Sequence, residues 1–174
     1  MHTAAYVERV RESCERGIPY LDSPDTPVSG ESYRAALFAA GGVLAAVDAV
    51  MEGHVRSVFC AVRPPGHHSL AGEAMGFCLF NNVAIAARYV QKRYDLAKVL
   101  IVDWDVHHGN GTQAAFYDDA TVFFFSVHQY PFYPGTGARG ERGAGDGLGT
   151  TLNVPSFWMF ACLRSFTKRD CGSS

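Results

Sequence analysis

Residues 98–110 read KVLIVDWDVHHGN, and this stretch decides the fold of the 174-residue chain. Its apolar run up to Asp103 is typical of a central parallel strand that is covered on both faces. Asp103, Asp105 and His107 are spaced two apart, so on an extended backbone their side chains point to one side. Carboxylate oxygens and imidazole nitrogens bind zinc and similar divalent metals, and carboxylates beside a core strand are costly unless they are paired or metal-bound. The spacing therefore predicts a metal site at the end of this strand.

Outward from this stretch, segments with strand and helix patterns alternate along the chain. Apolar runs predict strands at residues 57–62, 98–103, 121–127 and 151–154. Periodic patterns predict helices at residues 3–16, 31–52, 81–94 and 111–117. In the second of these helices, a one-sided apolar stripe runs through Leu37, Ala40, Leu44, Val47 and Met51. Such an alternation is the pattern of a parallel sheet with helices on its faces.

Functional side chains of a parallel sheet collect beyond the carboxyl ends of its strands. Here that rule brings together His67 and His68, residues 103–110, and residues 126–128. Two adjacent histidines near a metal are suited to proton transfer, because imidazole titrates near neutral pH. Each ring needs a partner that fixes its tautomer, and Asp103 and Asn110 are available for that role.

The composition excludes several classes of protein. Lys and Arg number 15 and Asp and Glu number 17, so the net charge of −2 offers no basic surface for nucleic acid or an anionic membrane. The apolar runs look too short to span a membrane, and no secretory signal is visible. Five scattered cysteines without a C-x-x-C pair argue against a disulfide framework. We therefore expect a cytoplasmic protein, in the cytoplasm or nucleus if the source is a eukaryote.

The chain resembles the zinc-dependent histone deacetylase family, which includes bacterial acetylpolyamine amidohydrolases. Four motifs carry the resemblance, in the family's order: RPPGHH at 63–68, GFC at 76–78, VDWDVHHGNGTQ at 102–113 and PFYPGTG at 131–137. Asn110 stands where the first class of deacetylases has aspartate, which is similar to the class II branch. The resemblance implies an α/β protein with a three-layer arginase/deacetylase-like fold and a mainly parallel sheet, incomplete at both ends in this chain.

The resemblance also implies roles for individual residues in a zinc-dependent hydrolysis of N-acetyl amides. Asp105 and His107 match the zinc ligands of the family. His67 and His68 match its proton-transfer pair, with Asp103 and Asn110 as the residues that orient the two rings. Of the two, His68 is the better match to the general base of the family.

Two further sets of residues follow from the same resemblance. The walls of the tunnel for the acyl-lysine side chain are matched by Gly76, Phe77, Phe132 and Tyr133. A structural potassium site is matched by Asp103, Asp105, His107 and Ser126. The implied substrate is an acetylated lysine in a protein or an acetylated polyamine, with no direct nucleic-acid binding and no membrane partner.

The resemblance stops after residue 155. The family's second metal-binding aspartate and its oxyanion-stabilising tyrosine belong to later segments that have no match here. We therefore expect residues 1–155 to form a partial histone deacetylase-like domain and residues 156–174 to form a divergent tail. Loss of one oxyanion donor alone typically lowers a rate by about 10²–10³, so we expect the chain to be weak or inactive by itself.

Two other functions are open at this point. One is a non-catalytic family member that binds a partner or an acetylated ligand, which the missing aspartate and tyrosine favour. The other is a manganese-dependent ureohydrolase on the same fold, although the paired histidines at 67–68 do not belong to the ureohydrolase pattern.

Overall fold

A computed structural model describes residues 1–156, which form a sheet of three strands and the helices packed against it. The helices are α1 (Ala4–Glu15), α2 (Ser32–Met51), α3 (Asn82–Tyr94), α4 (Asn110–Phe116) and a short 3-10 helix (Gly145–Gly147). The strands are β1 (Val99–Asp103), β2 (Val122–Gln129) and β3 (Thr151–Ser156). The predicted divergent tail, apart from Ser156, lies outside the described residues.

The three strands are parallel and follow the order β1-β2-β3. In this register Asp103 lies opposite Ser126, and Ser126 lies opposite Asn153. The carboxyl ends of the strands therefore meet at one edge of the sheet, where the polar residues were predicted to collect. The predicted α/β fold with a parallel sheet is confirmed.

One face of the sheet is covered by helices. Ile101, Val122 and Phe124 on that face are buried against α3 and against Phe116 of α4. A second core cluster joins α1 and α2 to the loop before α3, with Tyr6, Val10, Ala36, Leu79 and Phe80 as buried members. The Tyr6 hydroxyl donates a 2.6 Å hydrogen bond to the Leu79 carbonyl, which anchors α1 to that loop.

The start of α3 is set by Asn81, as its cap chemistry predicts. The Asn81 side-chain oxygen accepts a 3.1 Å hydrogen bond from the Ala84 backbone N–H. Its amide nitrogen donates to the Thr112 hydroxyl at 3.2 Å, so the same buried side chain also ties α3 to α4. The helix ends at Tyr94 and is followed by Asp95, whose φ of 54° lies in the left-handed region.

Two of the sequence-based predictions are wrong in detail. Residues 57–62 form no strand, and Phe59 within them is 92% exposed. The reason is that a strand needs a neighbour for its backbone hydrogen bonds, and none of the described strands lies beside this segment. In α2 the buried residues are Ala36 and Ala39, whereas Leu37 of the predicted stripe is exposed.

The length of α2 corrects the expectation that the apolar segments are too short to span a membrane. Its 20 residues are long and apolar enough to cross a membrane by length and composition alone, a test that core helices of soluble proteins also pass. Here α2 packs against α3, because the Asp48 carboxylate accepts hydrogen bonds from the hydroxyls of Tyr89 at 2.8 Å and Tyr94 at 2.7 Å.

Replacement of Asn81 tests the link between α3 and α4. We expect Asn81→Ala to lower the free energy of unfolding by about 2 kcal/mol, because it removes a helix cap and leaves the Thr112 hydroxyl without a buried partner. Urea denaturation followed by circular dichroism measures this change. Arg34→Ala is the control: the side chain is exposed, and we expect a change within about 0.5 kcal/mol. Equal effects of the two substitutions would contradict the prediction.

Candidate active site

A pocket of about 490 Å³ lies beyond the carboxyl ends of β1 and β2. Most of the predicted site residues share its wall: His67, His68, Gly76, Phe77, Asp105, His107 and Tyr133. A backbone hydrogen bond holds the loop that contains the two histidines at this pocket. The Thr112 N–H in α4 donates it to the His67 carbonyl at 3.1 Å. The structure therefore brings together His67 and Tyr133, which lie 66 positions apart in the chain.

Each of the two histidines has the predicted partner at its Nδ1 atom. His67 Nδ1 lies 2.9 Å from an Asp103 carboxylate oxygen. His68 Nδ1 lies 2.8 Å from the Asn110 side-chain oxygen. An oxygen of either kind accepts, so both rings donate from Nδ1, and Nε2 of a neutral ring carries the free lone pair.

The surroundings move the pKa values of the two histidines in opposite directions. Burial and the charge of His67 lower the pKa of His68 to about 4, so this ring is neutral at neutral pH. Burial also lowers the pKa of His67, but the hydrogen bond and charge of Asp103 outweigh it and raise the pKa overall. The ring centroids are only 4.0 Å apart. A neutral imidazole beside a more basic one is the division of roles expected of an acid–base pair.

Asp105 and His107 face each other at the edge of the same pocket. The Asp105 carboxylate lies 3.1 Å from His107 Nδ1 and also accepts a 2.8 Å hydrogen bond from the His107 backbone N–H. The Asp105 N–H in turn donates to Asp103 at 3.1 Å, so the turn after β1 is held by its own side chains.

The donor types of this pair fit zinc, since carboxylate oxygen and imidazole nitrogen are both ligands of that metal. A catalytic zinc takes three protein ligands, however, and Asp105 and His107 supply two. Within residues 1–156, no group of three or more His, Cys, Asp and Glu side chains is placed to hold a metal ion. The pair therefore fits a zinc site only in part within the described residues.

Aromatic rings narrow the mouth of the pocket. Tyr133 packs edge-on against His68, with ring centroids 5.1 Å apart, and lies 5.8 Å from the His107 ring. Phe77 lines the pocket as well and is 54% exposed, with a left-handed φ of 66°. Phe132, the other aromatic residue predicted for the tunnel wall, is exposed and does not line this pocket.

Gly76 is required for the packing around His68. Its φ of 57° is left-handed, and a Cβ atom added there would collide with the His68 ring. A second glycine in this part of the chain, Gly135, has a φ of 88° but open space around its Cα atom. The backbone of the GFC motif thus lies close to the His68 ring, an approach that only glycine permits.

Asp25 belongs to the site but was missed by sequence reasoning. Its carboxylate accepts hydrogen bonds from the Tyr133 hydroxyl at 2.9 Å and from the Gly76 N–H at 3.2 Å. Burial raises the pKa of Asp25, but hydrogen bonds from Ser23, Tyr133 and Thr26 outweigh it, so the pKa is lowered overall. Asp is an ordinary residue in a Pro-rich loop, so residues 17–31 gave no signal of this role.

A buried polar network was also missed, and it holds the loop that carries Tyr133. His108 Nε2 donates to the Gln113 side-chain oxygen at 3.0 Å, and its Nδ1 accepts from the Thr136 hydroxyl at 2.8 Å. Gln113 donates to Glu141 at 2.6 Å, and Glu141 accepts the Gly137 N–H at 3.1 Å. Burial and the neighbouring His128 lower the pKa of His108 to about 4, so its ring is a neutral link in this network.

Ser126 and His128 lie under this loop, on the buried face of β2. The Ser126 hydroxyl is 2.9 Å from His128 Nδ1, and His128 Nε2 donates to the Gly137 carbonyl at 2.9 Å. Because Nε2 carries the ring proton, Nδ1 accepts and Ser126 donates. The lone pairs of the Ser126 oxygen consequently remain available.

The structure thus combines a parallel sheet, covered by helices on one face, with paired histidines and a carboxylate–imidazole pair at its strand ends. Residues 1–158 match the family described as "Histone deacetylase domain", and the chain belongs to the histone deacetylase family. This membership confirms the resemblance read from the motifs.

Individual relatives agree with this assignment. The chain is 43% identical to "Histone deacetylase 14, chloroplastic" of Arabidopsis thaliana over 165 residues, which cover 89% of this chain and 39% of that protein. It is 48% identical to "Histone deacetylase clr3" of Schizosaccharomyces pombe over 134 residues, or 73% of this chain and 20% of that protein. The crystal structure of the HDA15 HD domain is 44% identical with a TM-score of 0.85, over 90% of this chain and 45% of that chain. The chain thus spans less than half the length of each of these relatives.

The two glycines with left-handed φ values make a matched test of the His68 environment. We expect Gly76→Ala to displace the His68 ring and weaken its hydrogen bond to Asn110, because the new methyl group collides with the imidazole. Gly135→Ala carries a similar backbone strain of about 1–2 kcal/mol without the collision, so His68 should be unchanged. Imidazole ¹⁵N chemical shifts measured by NMR distinguish the two. An unchanged His68 signal in Gly76→Ala would refute the close packing.

Proposed function

We propose that this pocket hydrolyses N-acetyl amides, on lysine side chains or polyamines, with zinc and with His68 as the general base. The observation that carries the proposal is the joint placement of two pairs in one pocket. His68 and Asn110 form a proton-accepting pair, and Asp105 and His107 offer two metal donors. Neither pair alone distinguishes this reaction from simple ligand binding.

Asp105 and His107 would hold the zinc ion, together with at least one ligand beyond those found in residues 1–156. When bound, zinc polarises an acyl oxygen and makes a coordinated water more acidic. The His107 nitrogen that binds the metal would have to be unprotonated, and binding through Nδ1 would replace the present hydrogen bond to Asp105.

His68 is placed to move the proton. The Asn110 side-chain oxygen accepts a hydrogen bond from the Nδ1–H of the neutral ring, which leaves the Nε2 lone pair to accept a proton from water in the pocket. The same ring can later return that proton to the leaving amine. His67, which Asp103 makes more basic, lies next to His68 and stabilises the pair during the transfer.

The pocket mouth fits a slender substrate. Phe77 and Tyr133 present aromatic surface on the way to His68, and an apolar slot of this kind suits the methylene chain of an acetylated lysine or polyamine. Asp25 holds the Tyr133 hydroxyl, so the slot has a fixed wall on that side.

We further propose a structural potassium ion below the site. Its ligands would be the Asp103 carboxylate, the Ser126 hydroxyl and the backbone carbonyls of Asp105 and His107. Asp103 lies opposite Ser126 in the sheet register, and the Ser126 proton is already donated to His128. Oxygen ligands of this kind suit a hard cation.

The substrate class and the place of action are proposals too. The net charge of −2 favours neither nucleic acid nor an anionic membrane as a partner. We propose an acetylated amine substrate, and action in the cytoplasm or nucleus, although two of the relatives are named chloroplastic. The family match favours this reaction over a manganese-dependent ureohydrolase.

A second candidate function is binding without turnover. The specific observation in its favour is that the described residues supply only two donors for the metal. On this basis we expect the chain by itself to release acetate slowly or not at all. Saturable binding of an acetyl-lysine peptide without acetate release would identify this second function.

Removal of one metal donor tests the zinc site independently of activity. We expect His107→Ala to weaken zinc binding by at least about 10- to 100-fold, the range already reached when only a partner of a ligand is lost. Competition with a chromophoric chelator measures the zinc Kd. His54→Ala, which removes an exposed imidazole after α2, is the control and should leave the Kd unchanged. If both variants bind zinc like the parent, Asp105 and His107 do not form the site.

Acetate release tests the reaction itself. In the presence of zinc, we expect any release from an acetyl-lysine peptide to fall by about 10²–10⁴-fold in His68→Ala, because the general base is lost. A coupled acetate assay follows the product, and His54→Ala is again the control. Release that survives in His68→Ala would overturn the assignment of the base, whereas zinc-loaded, folded protein that releases no acetate would favour the binding function.

A further inference from the structure

The Asn110 side chain can orient the His68 ring in two ways, because an amide has an accepting end and a donating end. The structure has the amide oxygen 2.8 Å from His68 Nδ1, so Nδ1 donates and the Nε2 lone pair is free. With its nitrogen towards the ring, the amide would donate to Nδ1, and a neutral ring would then carry its proton on Nε2. In that second arrangement Nε2 has no free lone pair. The orientation of this amide therefore decides whether His68 can act as a base.

The other end of the amide lies against the Met75 thioether. The Asn110 side-chain nitrogen donates to the Met75 sulfur at 3.2 Å, and among the described residues this sulfur is its one hydrogen-bond acceptor. A thioether sulfur has lone pairs but no hydrogen to donate, so it can bind the nitrogen end of the amide and not the oxygen end. In the reversed amide, two atoms with lone pairs would face each other at this contact. Met75 thus favours the orientation that leaves Nε2 of His68 free.

Hydrogen bonds on both sides of Met75 hold its backbone in place. The Ala74 N–H donates to the Asp22 carboxylate at 2.8 Å. The Gly76 N–H donates to the Asp25 carboxylate at 3.2 Å. Met75 itself is half-buried and, within the described part of the chain, is not among the residues that line the pocket of about 490 Å³. It therefore acts on the site through the amide and not by contact with a substrate.

We propose that Met75 is a positioning residue of the site: its sulfur fixes the Asn110 amide, and the amide fixes His68 as a ring with its proton on Nδ1 and a free Nε2. The choice of tautomer depends on the contacts of these three side chains alone. Its value for a general base rests on the proposed function. A net hydrogen bond changes an equilibrium constant by about 2- to 10-fold, so we expect an effect of this size on the tautomer ratio.

A carboxylate at position 110 would not need this selection. Both oxygens of a carboxylate accept, so one of them can take the hydrogen bond from Nδ1–H whichever way the group is rotated. An amide offers one accepting end only. The dependence of His68 on Met75 is therefore a property of the Asn110 amide, and it should vanish in Asn110→Asp.

Imidazole ¹⁵N chemical shifts of the complete 174-residue chain test this dependence without zinc or substrate. The shifts distinguish a protonated from a bare ring nitrogen, so they report the tautomer of neutral His68. We expect Met75→Leu, which keeps a similar volume and removes the acceptor, to shift the tautomer ratio about 2- to 10-fold towards Nε2–H. In Asn110→Asp chains the same substitution should leave the ratio unchanged. The charge added by Asn110→Asp raises the pKa of His68, so all spectra are recorded at a pH where the ring is neutral.

Met51→Leu is the matched control. It makes the same exchange in α2, where Met51 lines a separate groove of about 450 Å³, so His68 should keep its tautomer. Exchange of Met for Leu is among the substitutions that a protein core tolerates best, and circular dichroism establishes that each variant is folded. A shift that Met75→Leu produces with Asn110 present, and that neither Met51→Leu nor the Asn110→Asp chain shows, would support the proposal.

Three outcomes would overturn it. The first is a His68 tautomer that Met75→Leu leaves unchanged. The second is an equal shift in Asn110→Asp chains, because Met75 would then act on the ring through packing and not through the amide. The third is an equal shift in Met51→Leu. Since the spectra involve no reaction, a chain that shows the expected shift but releases no acetate would contradict the proposed hydrolysis and not the role of Met75.

Discussion

Parallel pairing of β1 with β2 is the constraint on which the rest of the structure depends. Parallel strands end at the same edge, so the turn after β1 is delivered next to the end of β2, with Asp103 opposite Ser126. The helices on the inner face pack against Ile101 and Phe124 and so exclude water from this strand pair. The loop with the two histidines is then held on the same edge by the hydrogen bond from His67 to Asp103. One register thus brings the Asp105–His107 pair, the two adjacent histidines and Asp103 to one edge of the sheet.

The chemistry of the site arises from unequal partners rather than from the histidines themselves. His67 and His68 are neighbours in sequence and in space, yet one faces a carboxylate and the other a neutral amide. A carboxylate stabilises the protonated ring, while an amide oxygen only orients the neutral ring. Burial lowers the pKa of both rings, but Asp103 raises the pKa of His67 overall, whereas the charge of His67 adds to burial in lowering the pKa of His68.

The Asp105–His107 pair and the exposed apolar side chains of the sheet lie along the same strand. Asp105 and His107 follow the end of β1, and Leu100 and Val102 lie on its outer face.

The sequence by itself determined the helices, the three parallel strands and the pairing of His67 and His68 with Asp103 and Asn110, because local periodicity and motif order carry that information. It failed at residues 57–62, where an apolar run was predicted to be a strand, since a strand depends on a neighbour that no local pattern specifies. Only the tertiary structure assigned Asp25 to the site. That carboxylate acts through Tyr133, at a separation of 108 residues, and contacts at such distances are set by how the layers pack and not by local sequence.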